Sequence, residues 1–231
     1  MLPMNEVIQF PSVDQADPHG LVWVGGALNS SNLFNAYSRG IYPWPFNDLV
    51  IPWFSPPLRG ILEFDRLVFS KETLRIARSG RYRVTMNERF DEVISRCAAP
   101  RADDTGTWIT NQVQAAYRDF HRDGYAHSVE VWLGDQLVAG LYGVCVQGVF
   151  AGESMFTQVN EGSRIALYHL TQYLKARGAT WIDTQMVTPH LEKLGAREIP
   201  RAEFIALLKE TQKLELKLFE GSTPRELILQ L

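Results

Sequence analysis

The chain has 231 residues and a formal net charge of −3, and hydrophobic and charged residues make up 45% and 21% of it. These proportions are those of a globular protein and exclude a disordered or collagen-like chain. No apolar run approaches the roughly 18 residues that a membrane-spanning helix needs. Residues 1–10 lack the basic start and apolar stretch of a signal peptide. We therefore expect a cytoplasmic protein in which Cys97 and Cys145 stay reduced.

Charge is distributed unevenly along the chain. Between Arg59 and Arg89, eight basic residues face four acidic ones, so this segment carries +4 and the rest of the chain carries −7. A local basic cluster on an acidic protein is typical of a polyanionic partner that is contacted at one place. A solvated helix face is the alternative interpretation, and the charge pattern does not separate the two.

The first 58 residues are rich in turns and aromatic side chains. Ser31 is a candidate N-cap for a short helix that runs to Tyr37 and ends at Gly40. Seven aromatic residues lie between Phe34 and Phe54, and five prolines lie between residues 43 and 57. The prolines predict a rigid, extended path without regular structure, and some of the rings are candidate stacking platforms.

Three helices are predicted next, beginning at Ser70, Asn87 and Thr110. The hydrophobic period then changes from 3.6 to 2, which predicts three antiparallel strands at 128–133, 136–146 and 149–156, joined by tight turns. The remaining predicted elements are a helix at 163–177, a strand at 180–183, helices at 190–194 and 201–212, and a closing strand at 214–218.

This order predicts an α+β protein. A three-stranded meander followed by a helix, a strand and a helix is similar to the acetyltransferase-like (GNAT-type) fold. A cluster of Pro, Asp and Gly near residues 100–107 suggests a domain boundary there. We therefore expect a small N-terminal α/β domain at 1–105, with the aromatic residues and the basic patch, and a GNAT-like catalytic domain at 106–231.

The loop before the predicted helix at 163–177 bears on the acyl donor. Acetyltransferases of this fold hold the coenzyme A pyrophosphate in a glycine-rich turn at the N-terminus of that helix. Residues 157–163 contain one glycine, Gly162, and an acid, Glu161, where a phosphate would lie. This composition argues against a coenzyme A donor.

Several sequence blocks together resemble one family. GESMF at 152–156, WIDTQ at 181–185, LGAREIPRAEF at 194–204 and WFSPPLRGIL at 53–62 are similar to blocks of the bacterial leucyl/phenylalanyl-tRNA–protein transferases. Nine such blocks occur in order over residues 10–212. Residues 25–28 read Gly-Gly-Ala-Leu, where the family usually has Gly-Gly-Asp-Leu, and the segment after Gln212 matches no block.

The resemblance implies an aminoacyltransferase. Such an enzyme moves Leu or Phe, and also Met, from aminoacyl-tRNA to the N-terminal α-amine of proteins that begin with Arg or Lys, which marks them for N-degron degradation. It implies no cofactor, no metal and no membrane partner, and a monomer. Aminolysis of an ester needs a neutral amine, and an α-amino group with a pKa near 7.7–8.0 is already roughly one-tenth neutral at pH 7.

The resemblance also implies the catalytic residues, which are Asp183, Gln185 and Glu153. Asp183 would attract the acceptor ammonium and accept its proton, with Gln185 two residues further along the same strand face. An unperturbed Asp is a weak base, so positioning by charge is the larger role expected of it. Glu153 would hold the α-ammonium or the ribose end of the donor. A structural role for Asp183, as a strand-end side chain that binds backbone amides, is the alternative.

Three further groups of residues are assigned by the same resemblance. The apolar donor pocket is expected from Leu141, Phe150, Met155, Leu170 and Ile182. The 3′-terminal adenosine of the tRNA is expected at Trp44, Trp108, Tyr37 and Tyr117. The tRNA backbone is expected at Lys71, Arg75, Arg78, Arg81 and Arg83.

Two other functions stay open from the sequence. One is a coenzyme A-dependent N-acetyltransferase, which the composition of residues 157–163 disfavours. The other is a tRNA-binding module that has kept the fold and lost catalysis, which the presence of Asp183, Gln185 and Glu153 disfavours.

Overall fold

The computed structural model describes residues 7–45, 49–99 and 107–219, together with the backbone of 225–226. It is a mixed α+β structure with a three-stranded and an eight-stranded sheet. The helices are α1 (Ser30–Tyr37), α2 (Lys71–Ala77), α3 (Phe90–Ala98), α4 (Asn111–Arg122), α5 (Gly162–Lys175), α6 (Pro189–Glu192) and α7 (Arg201–Gln212). The strands are β1 (Leu21–Val24), β2 (Tyr42–Pro43), β3 (Pro52–Phe54), β4 (Leu58–Glu63), β5 (Arg83–Met86), β6 (Ala126–Leu133), β7 (Gln136–Val146), β8 (Val149–Thr157), β9 (Trp181–Gln185), β10 (Arg197–Pro200) and β11 (Arg225–Glu226).

The larger sheet has the order β10-β4-β9-β8-β7-β6-β5-β11. The predicted meander is confirmed as β6, β7 and β8, which pair antiparallel in sequence. The turn between β7 and β8 has positive φ at both Gln147 (50°) and Gly148 (78°). Positive φ at two successive turn residues matches the twist of the flanking strands, so this turn closes a tight hairpin.

Strands β8 and β9 form the one parallel pair among the described strands. Their registered contact joins Ala151 to Asp183. Beyond that point the strands diverge, and residues 152–155 of β8 and 184–185 at the end of β9 line a cavity between them. The separation of two neighbouring strands thus opens the sheet at the place where Glu153 and Gln185 lie.

Two hydrophobic clusters cover the two faces of the large sheet. Helices α3 and α4 pack on one face with the aromatic residues of the N-terminal segment, whose Trp53 is fully buried. Helix α5 packs on the other face. Because side chains alternate along a strand, Leu141 of β7 points to the α5 face and the next residue, Tyr142, points to the α3 and α4 face.

The helix predictions agree with the structure apart from some of their ends. Ser70 and Thr110 are N-caps, and each side-chain oxygen accepts a backbone N–H three residues on. The predicted start at Asn87 was wrong, because Asn87 has a positive φ and α3 begins at Phe90. The N-cap of α1 is Asn29 and not Ser31. Helix α7 has the predicted bounds.

The predicted closing strand at 214–218 was wrong. These residues form turns and irregular structure, in which Leu218 is buried against the α5 cluster. Leu216 also packs against this cluster but Leu214 is exposed, so the apolar alternation does not mark one buried face of a strand. The proline-rich segment is also more regular than predicted, since Tyr42–Pro43 and Pro52–Phe54 are the short strands β2 and β3.

The large sheet does not follow the predicted division between residues 105 and 106. Strands β4 and β5, which precede it, pair with β9 and β6, which follow it. The residues of the proposed boundary itself, 100–106, lie outside the described residues. In the described part of the chain no helix is long and apolar enough to cross a bilayer, and no group of three His, Cys, Asp or Glu side chains is arranged to hold a metal ion.

Candidate active site

A cavity of about 670 Å³ lies between the diverging strands β8 and β9 and extends under α5 and α6. Its inner part is apolar, and all five residues that were assigned to a donor pocket line it: Leu141, Phe150, Met155, Leu170 and Ile182. Trp44 and Trp108 line it as well, and their rings stack on each other with centroids 5.4 Å apart. The cavity therefore joins an apolar end to an aromatic end.

Of the three predicted catalytic residues, Glu153 and Gln185 line this cavity. The Glu153 carboxylate accepts hydrogen bonds from the Tyr37 hydroxyl at 2.7 Å and the Gln185 side-chain amide at 2.7 Å. A longer bond of 3.4 Å comes from the Tyr117 hydroxyl. Three side chains from three separate elements thus fix the orientation of one carboxylate.

The environment of Glu153 changes its acidity. Burial raises the pKa of this carboxyl to about 7, and the negative charge of Asp183 acts in the same direction. The hydrogen bonds from Tyr37 and Tyr117 and the charge of Arg59 lower the pKa but do not cancel the effect of burial. A carboxyl group with a pKa near 7 can take up or release a proton at neutral pH.

Asp183 does not line the cavity and is held by Arg59, which was counted in the basic cluster but not predicted to be a site residue. The Nε and Nη2 atoms of Arg59 donate to the two Asp183 oxygens at 2.8 and 2.6 Å, and both side chains are buried. The guanidinium also lies 4.6 Å from the ring centroids of Tyr42 and Phe204. Both oxygens of the Asp183 carboxylate are therefore bound by a cation of the same chain.

Gln185 connects the two carboxylates. Its backbone N–H donates to Asp183 at 2.9 Å, and its side-chain amide donates to Glu153. Its φ of 61° lies in the left-handed region, which is uncommon for a residue other than glycine. The hydrogen bond to Asp183 helps to hold this conformation, so Asp183 acts on the cavity through Gln185.

The four aromatic residues assigned to the tRNA adenosine fall into two groups. Trp44 and Trp108 are partly exposed and line the cavity. Tyr37 and Tyr117 are buried behind Glu153, and their hydroxyl oxygens are 2.5 Å apart. Burial, followed by the charge of Glu153, raises the pKa of both tyrosines well above 10, so both hydroxyls stay protonated.

The basic residues at 71–83 are exposed on and after α2. Several already have partners within the chain: Arg75 pairs with Glu72, and Arg83 with Glu88. Arg78 donates to the Tyr168 hydroxyl at 3.3 Å. Arg59 does not belong to this surface, because it is buried.

The segment after α7 supports the wall of the cavity. Phe219 stacks on His127 with centroids 3.8 Å apart and lies 5.8 Å from Phe150, which lines the cavity. Gly143 makes room for this arrangement, because a Cβ there would come within 2.5 Å of the Phe150 ring. Neither Phe219 nor Arg59 could be identified from motif spacing, since each acts through a residue that is distant in sequence.

Comparison with known proteins identifies relatives over most of the chain. The family model for leucyl/phenylalanyl-tRNA protein transferase matches residues 61–209. A leucyl/phenylalanyl-tRNA–protein transferase of Shewanella baltica is 41% identical over 98% of this chain and 96% of its own length. The protein of the same name from Nitrosospira multiformis is 48% identical over 87% of this chain and 88% of its own.

Likeness to solved structures is more distant. The structure of L-PGS from Bacillus licheniformis is 11% identical, with a TM-score of 0.35, and the match covers 75% of this chain and 66% of that one.

Proposed function

The chain belongs to the leucyl/phenylalanyl-tRNA–protein transferase family and is an aminoacyltransferase, and we propose that it transfers Leu, Phe or Met from aminoacyl-tRNA to an N-terminal α-amine. The acceptors are proteins that begin with Arg or Lys, and the added residue marks them for N-degron degradation in the cytoplasm. The enzyme acts as a monomer. One observation carries the proposal: a single cavity joins an apolar pocket, a carboxylate–amide pair and a stacked tryptophan pair.

The apolar end of the cavity supports Leu, Phe and Met as donors. Its lining by Leu141, Met155 and Ile182 offers contacts to a large apolar side chain but no charged group. A hydrophobic pocket discriminates by only about 1–3 kcal/mol per methylene, so it accepts several apolar side chains of similar size. A small donor such as Ala leaves most of this pocket empty and is a poor substrate.

The aromatic end supports binding of the tRNA 3′ terminus. Base stacking on an aromatic side chain contributes about 1–3 kcal/mol and needs no sequence readout. Trp44 and Trp108 offer such surfaces at the cavity. Tyr37 and Tyr117 act on the same end indirectly, because they orient Glu153 beneath the ester. The basic residues on and after α2 then contact backbone phosphates of the acceptor stem.

The reaction is the aminolysis of an ester. The α-amine lone pair attacks the ester carbonyl carbon, a C–N bond forms, and the C–O bond to the tRNA ribose breaks. Glu153 is suited to accept the proton that the amine loses, because its pKa is near 7 and it faces the cavity. That proton can then pass to the departing ribose oxygen, so the protein ends in its starting state.

Asp183 has a positioning role in this scheme. Both of its oxygens bind Arg59, so its charge is already compensated within the protein. It holds the Gln185 backbone N–H, and Gln185 in turn holds Glu153. We therefore assign proton acceptance to Glu153, orientation of Glu153 to Gln185, and support of Gln185 to Asp183.

A GNAT-type arrangement of the catalytic part is also proposed. It is supported by the antiparallel meander β6–β8, by α5, and by the parallel pairing of β8 with β9. Coenzyme A remains disfavoured as the donor. The carboxylate of Glu161, the N-cap residue of α5, binds Arg164 and Thr73, so an acid occupies the position that a pyrophosphate would need.

The function can be tested in one assay. Purified protein is incubated with radiolabelled Leu-tRNA and with two peptides that differ only in an N-terminal Arg or Ala. Label on the Arg peptide alone supports the proposed donor, the proposed acceptor and the transfer reaction together. Label on neither peptide, with tRNA still bound, supports the inactive binding module, and transfer from acetyl-coenzyme A supports the acetyltransferase. The variant Glu153→Gln is the matched control for catalysis, since it keeps the shape of the side chain.

A further inference from the structure

Unpartnered polar atoms gather around the cavity. Three buried side-chain atoms that line it have no hydrogen-bond partner among the described residues: Tyr142 OH, Thr184 Oγ1 and His190 Nε2. Buried polar groups in native proteins are almost always hydrogen-bonded, because an unpaired one costs free energy. Their concentration at one cavity indicates that a bound molecule supplies the missing partners.

Tyr142 is the most constrained of the three. Its residue is fully buried, whereas Thr184 and His190 are partly exposed. Its ring is fixed edge-on against Tyr117 and Phe90, with centroids 5.8 and 5.9 Å away. Because these contacts fix the ring, the hydroxyl oxygen cannot move to another partner within the protein.

The hydroxyl of Tyr142 is a permanent hydrogen-bond donor. Burial raises its pKa well above 10, and the negative charge of Glu153 raises it further. The O–H thus stays protonated at neutral pH, and the group requires an acceptor atom. It cannot substitute for Glu153 as a base.

The position of Tyr142 indicates which acceptor this is. Tyr142 lines the cavity from the sheet face opposite to that of Leu141, and it is paired across the sheet with Ser154, the neighbour of Glu153. Its ring packs against Tyr117, whose hydroxyl donates to Glu153, so Tyr142 lies on the Glu153 side of the cavity. A donor whose side chain fills the apolar pocket and whose ester lies next to Glu153 brings its carbonyl oxygen to this side.

We propose that the Tyr142 hydroxyl donates a hydrogen bond to the carbonyl oxygen of the aminoacyl ester and stabilises the oxyanion that forms there; this rests on the proposed function. When the amine attacks, the carbonyl π electrons move to that oxygen. As the intermediate collapses they re-form the C=O bond, and the C–O bond to the ribose breaks. Glu153 is neutral at that stage, having taken the amine proton, so it does not repel the oxyanion.

The test compares Tyr142→Phe with the unchanged protein in single-turnover transfer from Leu-tRNA to an Arg peptide. A donor that acts in the transition state typically contributes 10²–10³-fold to the chemical step, so we expect a loss of about 100-fold in the transfer rate. The tRNA concentration at half-maximal rate should stay within about twofold. Tyr82→Phe, at a half-buried tyrosine that does not line the cavity, is the matched control and should retain the full rate.

Thermal unfolding separates this role from a structural one. Tyr142→Phe removes an unpartnered hydroxyl and keeps the ring, so its melting temperature should equal or exceed that of the unchanged protein. A single-turnover rate equal to wild type overturns the inference, as does a raised half-saturation concentration with an unchanged rate. Failure of the unchanged protein to transfer leucine at all is a different result, because it overturns the proposed function and this inference with it.

Discussion

Arg59 and Asp183 are separated by 124 residues and form a buried, bidentate ion pair at 2.8 and 2.6 Å. Burial lowers the pKa of the guanidinium, but the charge and hydrogen bonds of Asp183 outweigh it and leave that pKa raised. The pair joins β4 to β9 directly beside the cavity. Asp183 also binds the backbone N–H of Gln185, whose side-chain amide reaches Glu153. The Asp183 side chain therefore takes part both in the ion pair and in the positioning of the proposed proton acceptor.

The Arg59→Leu variant should be strongly destabilised. Removal of one member of a buried ion pair leaves an uncompensated charge, which typically costs about 3–5 kcal/mol. The double variant Arg59→Leu with Asp183→Asn should recover part of this loss, because it removes the orphaned charge. Urea unfolding of both variants measures the effect. Equal stability of the single variant and the wild type would contradict the buried pair.

The transfer rate should depend on the ionisation of Glu153. Only the carboxylate form accepts a proton, and its pKa is about 7, so kcat/KM should rise with pH through that value. The acceptor α-amine adds a second rise near 7.7–8.0. In Glu153→Gln the rate should fall and the rise near 7 should disappear while the amine step remains. An unchanged profile in that variant would remove Glu153 from the reaction.

Glu153 should also make stability depend on pH. Its folded-state pKa is raised from 4.5 to about 7, so the folded protein binds the proton more tightly than the unfolded chain does. That contribution is complete below about pH 4.5 and is lost as the pH rises through 7. Glu153→Gln should therefore gain stability relative to wild type as the pH increases from 5 to 8. Denaturant midpoints at several pH values measure this, and a constant difference across that window would argue against the raised pKa.

The size of the apolar pocket should set donor preference. Met155 lines it and is partly exposed, so Met155→Phe can add volume without the strain of a fully buried site. We expect kcat/KM for Phe-tRNA to fall about tenfold more than that for Leu-tRNA, because the larger donor meets the added ring first. Val68→Phe, at an exposed position that does not line the cavity, should change neither value. An equal decrease in kcat/KM for Phe-tRNA and Leu-tRNA would mean that Met155 does not line the pocket that binds the donor side chain.

The basic surface should govern the salt dependence of tRNA binding. Arg75 and Arg83 already pair with acids, so Lys71 and Arg81 are the better sites for charge reversal. The double change to Glu should raise the KM for tRNA several-fold and flatten its dependence on salt concentration. Arg122, which pairs with Asp119 on α4, provides a control reversal. An unchanged salt slope would mean that these residues form an ordinary solvated surface.

Local patterns in the sequence predicted the meander and most of the helices, because period and capping residues are local properties. The strands β4 and β5 were not predicted, since their partners come much later in the chain. The alternation at 214–218 was misleading because an irregular segment that buries Leu218, packs Leu216 and exposes Leu214 carries the same pattern as a strand. Periodicity cannot separate these two causes.

The candidate site was likewise predicted only in part. The resemblance supplied the residues that line the cavity, and Leu141, Met155 and Glu153 do meet there. It assigned Asp183 a direct role, but the sequence gives no sign that Arg59 occupies that carboxylate. Tyr142 was missed for a related reason, since an unpartnered hydroxyl is a property of three-dimensional packing and has no sequence pattern.

The position of β4 between β10 and β9 has a consequence for synthesis of the protein. Both of its edges are filled by strands made much later, β9 from residue 181 and β10 from residue 197. A ribosome extends a chain by about 5–20 residues per second, so β4 waits on the order of ten seconds for these neighbours. During that time Ile61 and Leu62, which are fully buried in the folded protein, lack their final sheet contacts. The nascent chain therefore presents an apolar strand that chaperones can hold until residues 181–200 emerge.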